Sequence, residues 1–227
     1  MESREVKICC LKTVPRYVAN WPTNIINSAF NANGIPIVTS GGVFYGQCMQ
    51  RMLEEAIAQG IDIAITVDFD SVFRPDQVKR LIDVAVNNDH IDALAALQSR
   101  RGAPNPLFNP DGEFEVGKVC QVEFKGEPLK VSTAHFGLTA IKLDRLKDVP
   151  KPWFYSKPGA TGEWNEDRIE DDIWFWRQWA NAGRSVYVDS SVSIGHMEEM
   201  VSVYDENGNH QMKYPNEWYE ENVLCQR

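Results

Sequence analysis

Residues 65–73 read Ile-Thr-Val-Asp-Phe-Asp-Ser-Val-Phe, an apolar, β-prone run that stops at two carboxylates, Asp68 and Asp70. If the extended backbone persists through the pair, the i, i+2 spacing aims both side chains to one side. Like charges that close repel and raise each other's pKa unless a cation sits near them. A hard divalent ion such as Mg2+ or Mn2+ takes oxygen ligands and suits bridging to a diphosphate, so one reading is a metal site. The other is an acidic strand-to-helix loop, with Asp70 or Ser71 near the start of the next helix.

Two further stretches carry chemistry-bearing groups. Glu170, Asp171 and Asp172 open the run Ile-Glu-Asp-Asp-Ile-Trp-Phe-Trp-Arg at 169–177. Acids in a first helical turn complement the helix dipole, and a carboxylate fixed there beside a cleft is also placed as a general base. In Val-Ser-Ile-Gly-His-Met, 192–197, His196 follows a strand-like segment. It reads either as a hydrogen-bonded surface histidine or as an imidazole that joins carboxylates on a metal.

The elements that must position these groups alternate between strand and helix. Val6–Leu11, Ile35–Thr39, Ile61–Val67 and Ile91–Leu97 read as strands, near-continuously apolar as strands covered on both faces are. Between them, 47–59 places Met49, Met52, Leu53, Ala56 and Ile57 at helical spacing, with Gly60 as its stop. Pro75 opens a second helix carrying Val78, Leu81, Ile82 and Ala85 on one face. Such alternation predicts a mostly parallel central sheet flanked by helices. Residues 102–131 break the pattern with Gly, Pro and short alternating segments, Phe114–Val116 and Val119–Phe124, and predict a small antiparallel insertion. Arg168–Ala182 is a helix with Trp174, Phe175, Trp176 and Trp179 as core, and Ser185–Val188 another strand.

Composition bounds the class. With 227 residues, 43% of them hydrophobic, the chain builds one sizeable core. No apolar run reaches the roughly 20 residues a bilayer span needs, and Met-Glu-Ser-Arg-Glu does not open a signal peptide. A net charge of −9 argues against a protein that holds nucleic acid electrostatically. Cys9, Cys10, Cys48, Cys120 and Cys225 make an odd set without Cys-x-x-Cys spacing, so a soluble, cytoplasmic chain without zinc or disulfides is expected.

Taken in order, DFD at 68–70, SRRGAP at 99–104, HFGLTAIKLDRL at 135–146, PWF at 152–154, EDDIWFWRQWANAG at 170–183 and IGH at 194–196 resemble the GT-A glycosyltransferases. The likeness is to the single-domain, family-2-like enzymes of bacteria and their viruses, and spans Val6 to His196. It implies one GT-A domain over 1–227: a nucleotide-sugar-binding half at 1–101, an acceptor and catalytic half at 102–196, and an extension at 197–227. The extension matches no part of the family; its Asn207-Gly208 pair predicts a hairpin turn.

The resemblance also implies roles. Asp70 and His196 would hold Mn2+ or Mg2+ on the diphosphate of a UDP- or GDP-sugar, while Asp68 would face the ribose or reach the metal through water. The cation would stabilise the departing nucleoside diphosphate. Asp171 would take the proton of the acceptor hydroxyl in an inverting single displacement, with Glu170 and Asp172 as rivals. Thr13, Val14 and Pro15 would cradle the nucleoside, Arg100 or Arg101 would reach the diphosphate, and Gly137 would let the backbone approach the donor sugar. Trp153 and Phe154 would be a platform for an acceptor sugar or a buried anchor, and His135 would be packed or touch substrate. Arg51 is expected at the surface. The acceptor is expected to be a glycan or other soluble hydroxyl compound, and hydroxymethylated DNA, an acceptor of some viral members, is disfavoured by the charge. Two other readings stand beside this one. A non-catalytic nucleotide-sugar-binding module would keep the same acids. A sugar nucleotidyltransferase would need a Gly-rich basic loop where this chain has LKTVPRYVANWP.

Overall fold

Strand β1 (Ile8–Val14) shows how the chain comes to be covered on both sheet faces. Cys9 and Leu11 turn into one buried cluster and Cys10, between them, into another. The period of two sends alternate side chains to opposite faces, so a continuous apolar run requires a helical layer on each. The computed structural model describes residues 5–14, 20–102, 105–114, 126–165, 167–205 and 207–221. After β1 come α1 (Asn20–Asn31), β2 (Ile37–Gly41), α2 (Tyr45–Ala58), β3 (Ile63–Asp68), β4 (Ser71–Val72), α3 (Pro75–Asn87) and β5 (Ala93–Gln98). Then follow β6 (Phe108–Pro110), β7 (Leu129–Ala134), β8 (Thr139–Lys142), α4 (Leu143–Leu146), α5 (Asp171–Asn181) and β9 (Val186–His196). The hairpin β10 (Val201–Tyr204) and β11 (His210–Lys213) and the short helix α6 (Pro215–Tyr219) come last.

The main sheet runs β2-β1-β3-β8-β5-β9-β7-β6. β1 is parallel to β2 and β3, and β5 to β9; β8 is antiparallel to both its neighbours and β7 to both of its own. The sheet is therefore mostly parallel in direction, with β8 and β7 reversed. The antiparallel insertion expected over 102–131 is present as β6 against β7. The strand segments expected within 115–125 lie outside the described residues. β8, from the second half of the chain, sits between β3 and β5 of the first. The boundary drawn at residue 101 is thus one of sequence, and the two halves share one sheet.

Helix α2 packs Met49, Met52, Leu53 and Ala56 with Phe175, Trp176 and Trp179 of α5 in one cluster. On the other face Ile26, Ala29 and Phe30 of α1 join Val78, Leu81 and Ala85 of α3. α3 starts at Pro75, whose missing N–H belongs to the unbonded first turn, and the Arg74 N–H donates to Gln77 Oε1 at 2.9 Å. Gly60, at φ +72°, stops α2 as its spacing predicts.

Differences from the sequence reading have physical causes. The first strands begin and end about two residues later than their apolar runs, because the ladder continues into polar residues: Thr13 pairs with Ser40 and Asp68. Helix α1 is not apparent in NWPTNIINSAFN, which is poor in strong helix formers; the burial of Ile26, Ala29 and Phe30 supplies what propensity does not. β9 extends eight residues beyond the expected Val188. A register shift opposite Ala96 and Leu97, where Asp189 Oδ1 accepts the Ser191 N–H at 2.9 Å, lets it continue toward the acids of β3. Asn207 and Gly208 lie in the turn between β10 and β11, Gly208 at φ +79°.

Candidate active site

The carboxyl ends of β1, β2 and β3 form one wall of a cleft. After β3 the chain turns at Phe69 and Asp70 and returns as β4, which pairs antiparallel with the end of β9 so that Ser71 stands opposite His196. Met197 N–H donates to the Asp70 carbonyl at 2.9 Å, and the buried Gln98 amide donates to Ser71 Oγ and the Gly195 carbonyl, each at 3.2 Å. Two segments about 125 residues apart in sequence are held together by these backbone and side-chain hydrogen bonds.

Their side chains then converge. His196 Nδ1 lies 3.0 Å from the Ser99 carbonyl, and Nε2 lies 3.0 Å from Arg101 Nε. The network assigns the proton to Nδ1, leaving the Nε2 lone pair to accept from the guanidinium. That lone pair faces Asp70 Oδ2 at 3.3 Å, and the Arg101 guanidinium bonds the same oxygen. Asp70 is 5% exposed. Two lone-pair atoms aimed at a shared point need a cation between or beside them, and here the cation is Arg101.

Asp68 stands next to this group and is partly buried. Its carboxyl is pushed up to about 6, chiefly by burial; Asp172 and Asp171 add to the rise, while His196 and Arg101 oppose it. Thr13, Val14, Ser40, Gly42, Tyr45, Asp68, Asp70 and Arg101 line one cavity. Pro15, expected beside Thr13, lies outside the described residues.

The start of α5 lies beside the first turn of α2, to which it is tied through Gly46. Asp171 is already occupied: Oδ2 accepts the Gly46 N–H at 3.0 Å and Oδ1 accepts the Asp172 N–H at 3.0 Å. Glu170 is held by Arg168, whose Nε lies 3.0 Å from Oε1. Asp172 is different. Its Oδ1 accepts the Ile173 N–H at 2.7 Å, it lines a second cavity with Arg100, Asn105, Asn109, Thr133 and Glu170, and burial raises its pKa to about 6. Its charge is also felt by Asp68 and Tyr45 on the first wall. Asp172 therefore lines the second cavity while lying within electrostatic reach of the first.

Several expected contacts resolve as packing. Trp153 is 3% exposed, and its indole N–H donates to the Val149 carbonyl at 2.9 Å, so its ring is a core anchor and not an acceptor platform. A side chain on Gly137 would meet Gln98 Oε1 at 2.5 Å and Ser71 Oγ at 2.7 Å, so this glycine makes room for the Gln98–Ser71 tie. His135 has both ring nitrogens taken, Nε2 by the Ala96 carbonyl at 2.7 Å and Nδ1 by the Gly137 N–H at 2.9 Å. Burial lowers its pKa to about 4, so it is neutral at pH 7. Arg51 is exposed on α2. Tyr45 was not singled out by sequence, because an aromatic at the start of an apolar helix face reads as core.

A divalent ion fits the Asp70–His196 pair by one test. The 3.3 Å between Oδ2 and Nε2 is close to the edge of about 3 Å that two cis ligands span around a small hard cation. The Ser99 carbonyl behind Nδ1 supplies the outer contact that metal-bound imidazoles commonly have. Among the described residues no group of three His, Cys, Asp or Glu side chains is arranged to hold a metal, so protein would furnish two ligands and Arg101 would have to leave Asp70.

No protein-family model matches the chain, and no curated protein matches it in sequence. Solved structures do. A197 from STIV superposes with a TM-score of 0.61 at 15% identity, over 92% of this chain and 94% of that one. GalNAc-T7, crystallised with UDP, GalNAc and Mn2+, superposes with a TM-score of 0.60 at 9% identity, over 86% of this chain and 44% of its own. The chain thus spans less than half of that enzyme's chain. The fold expected from sequence, that of the GT-A nucleotide-sugar transferases, is the fold observed. No helix among the described residues is long and apolar enough to cross a membrane.

Proposed function

We propose that this chain is a metal-dependent glycosyltransferase that moves a sugar from a nucleoside-diphosphate donor to an acceptor hydroxyl with inversion. The observation that carries the reading is the convergence of Asp70 and His196 on one cationic position, 3.3 Å apart, with Asp172 near enough for its charge to be felt at Asp68 beside them. GalNAc-T7 shares the fold and was crystallised with UDP and Mn2+, which supports this class of donor and ion.

In this reading Thr13 and Ser40, at the strand ends, hold the nucleoside of a UDP- or GDP-sugar, with Asp68 toward the ribose. Asp70 and His196 hold Mn2+ or Mg2+, which when bound neutralises the charge that develops on the diphosphate. Arg101, released from Asp70, turns its guanidinium to the diphosphate oxygens. Asp172 is the base, in preference to its neighbours, because Asp171 is bound by two backbone N–H groups and Glu170 by Arg168. A carboxyl lifted to about 6 is ionised at neutral pH yet more basic than an ordinary aspartate, which suits general base work. The acceptor oxygen forms its bond to the anomeric carbon as the bond from that carbon to the diphosphate breaks, and its proton passes to Asp172. The polar lining by Arg100, Asn105, Asn109 and Thr133 suits a hydroxyl-rich acceptor such as a glycan.

A thermal-shift screen of UDP- and GDP-sugars, with and without Mn2+, tests the proposal. A ligand selective for the native state raises its melting point. At least one nucleotide sugar is expected to do so only when Mn2+ is present. A melting point unmoved by every nucleotide sugar, with or without the metal, would refute it.

A further inference from the structure

The first turn of α2 carries a group that the proposed chemistry does not use. Tyr45 is held by its ring, which meets Phe154 edge-on with centroids 6.1 Å apart and Phe136 at 6.2 Å. The next residue, Gly46, donates its N–H to Asp171, so the backbone beneath the ring is tied to the start of α5. The ring is fixed at both ends, and the hydroxyl cannot choose its surroundings.

Those surroundings are unusual. Tyr45 lines the cavity that holds Asp68, Asp70 and Arg101, and its Oη is buried without a hydrogen-bond partner among the described residues. An unmet buried donor is costly, and a phenylalanine would fill the same space without that cost. Burial, and then the charges of Asp68, Asp172 and Asp171, raise the phenol well above its ordinary pKa, so it stays a neutral O–H donor. The hydroxyl is out of water's reach in this conformation, so it gains a partner when an entering ligand displaces a group that covers it.

We infer that Tyr45 Oη donates a hydrogen bond to a hydroxyl of the transferred sugar, which in turn donates to Asp68 or Asp172. The inference rests on reading the cleft as a nucleotide-sugar site. A sugar hydroxyl is the complementary group because it accepts from the phenol and donates to a carboxylate at once. A phosphate oxygen is not: it only accepts, and the acids around Tyr45 repel it toward Arg101. Tyr45 is thus a positioning and specificity residue that selects donors bearing a free hydroxyl at this position. A site built to bond a hydroxyl rejects the analogue lacking it far more strongly than an apolar pocket rejects an extra one.

The test is Tyr45→Phe, followed by melting temperature and by calorimetric titration, with Mn2+ present, of the nucleotide sugar that best stabilises the wild type and of its nucleoside diphosphate. The variant is expected to melt at or above the wild-type temperature, to bind the nucleoside diphosphate within twofold of wild type, and to bind the nucleotide sugar about tenfold more weakly. A lower melting temperature together with an unchanged ratio of the two affinities would make the hydroxyl structural and overturn the inference alone. If wild type binds neither compound, the nucleotide-sugar reading fails and takes the inference with it.

Discussion

Asp70 at the end of β3 and Asp172 at the start of α5 line two different cavities, and their charges are balanced in different ways. Asp70 has a guanidinium on its Oδ2 and an imidazole lone pair 3.3 Å away. Asp172 has no comparable cation among the described residues; one oxygen takes the Ile173 N–H, and burial lifts its pKa to about 6. The first cavity is arranged around a positive charge, the second around a proton. A reaction that expels an anionic leaving group while deprotonating an attacking hydroxyl needs both, on opposite sides of the reacting carbon.

The comparison breaks most visibly at the proton side. Asp172→Asn keeps the oxygen that accepts from Ile173 but loses the basic group, so sugar transfer is expected to fall about 10²–10⁴-fold with donor binding retained. Retained transfer would move the base elsewhere. The neighbouring acid should behave oppositely in stability. Asp171→Asn leaves one oxygen for two N–H donors, from Gly46 and Asp172, and is expected to cost about 1–3 kcal/mol in denaturant unfolding. An unchanged midpoint would show that the clamp contributes nothing.

A smaller effect concerns pH. Asp172 has a folded pKa of about 6 against an ordinary 3.8, so the native state binds its proton more tightly than the unfolded chain does. Its contribution is most favourable below about pH 4 and is lost as pH rises through 6. Two units correspond to about 3 kcal/mol in full burial, and partial exposure reduces this to about 1 kcal/mol. Asp172→Asn should therefore melt a few degrees above wild type at pH 7, with the gap closing toward pH 4. A gap that widens on acidification would reverse the sign assigned to the shift. His135, lowered to about 4, works the other way and is common to both proteins, so it cancels from the difference, which reports Asp172 together with its effect on Asp68.

How much of this was legible in sequence depends on what kind of neighbour a residue has. The end of β3 is visible in sequence as an apolar run that stops at Asp68 and Asp70, though an acidic loop would read the same way until the fold brings His196 and Arg101 to it. The approach of His196 does not, since it depends on a register shift in β9 and on the two-residue strand β4. Arg100 and Arg101 are equivalent on paper; backbone direction sends one to the cavity lined by Asp172 and the other to Asp70. Three adjacent acids could be ranked only once their hydrogen bonds were visible. Gly137, His135 and Trp153 have residue types that serve substrates or packing equally well, and burial decided for packing. Tyr45 is the converse, a residue whose type says core and whose unbonded hydroxyl says cleft.

The shared cation of Asp70 and His196 is tested most directly by calorimetric titration of Mn2+ with UDP or GDP into wild type, Asp70→Ala and His196→Ala. Wild type is expected to bind the nucleotide in a Mn2+-dependent way, and each variant at least tenfold more weakly, a loss of about 1.4 kcal/mol. Equal Mn2+-dependent affinity in all three proteins would contradict the assignment and place the ion elsewhere.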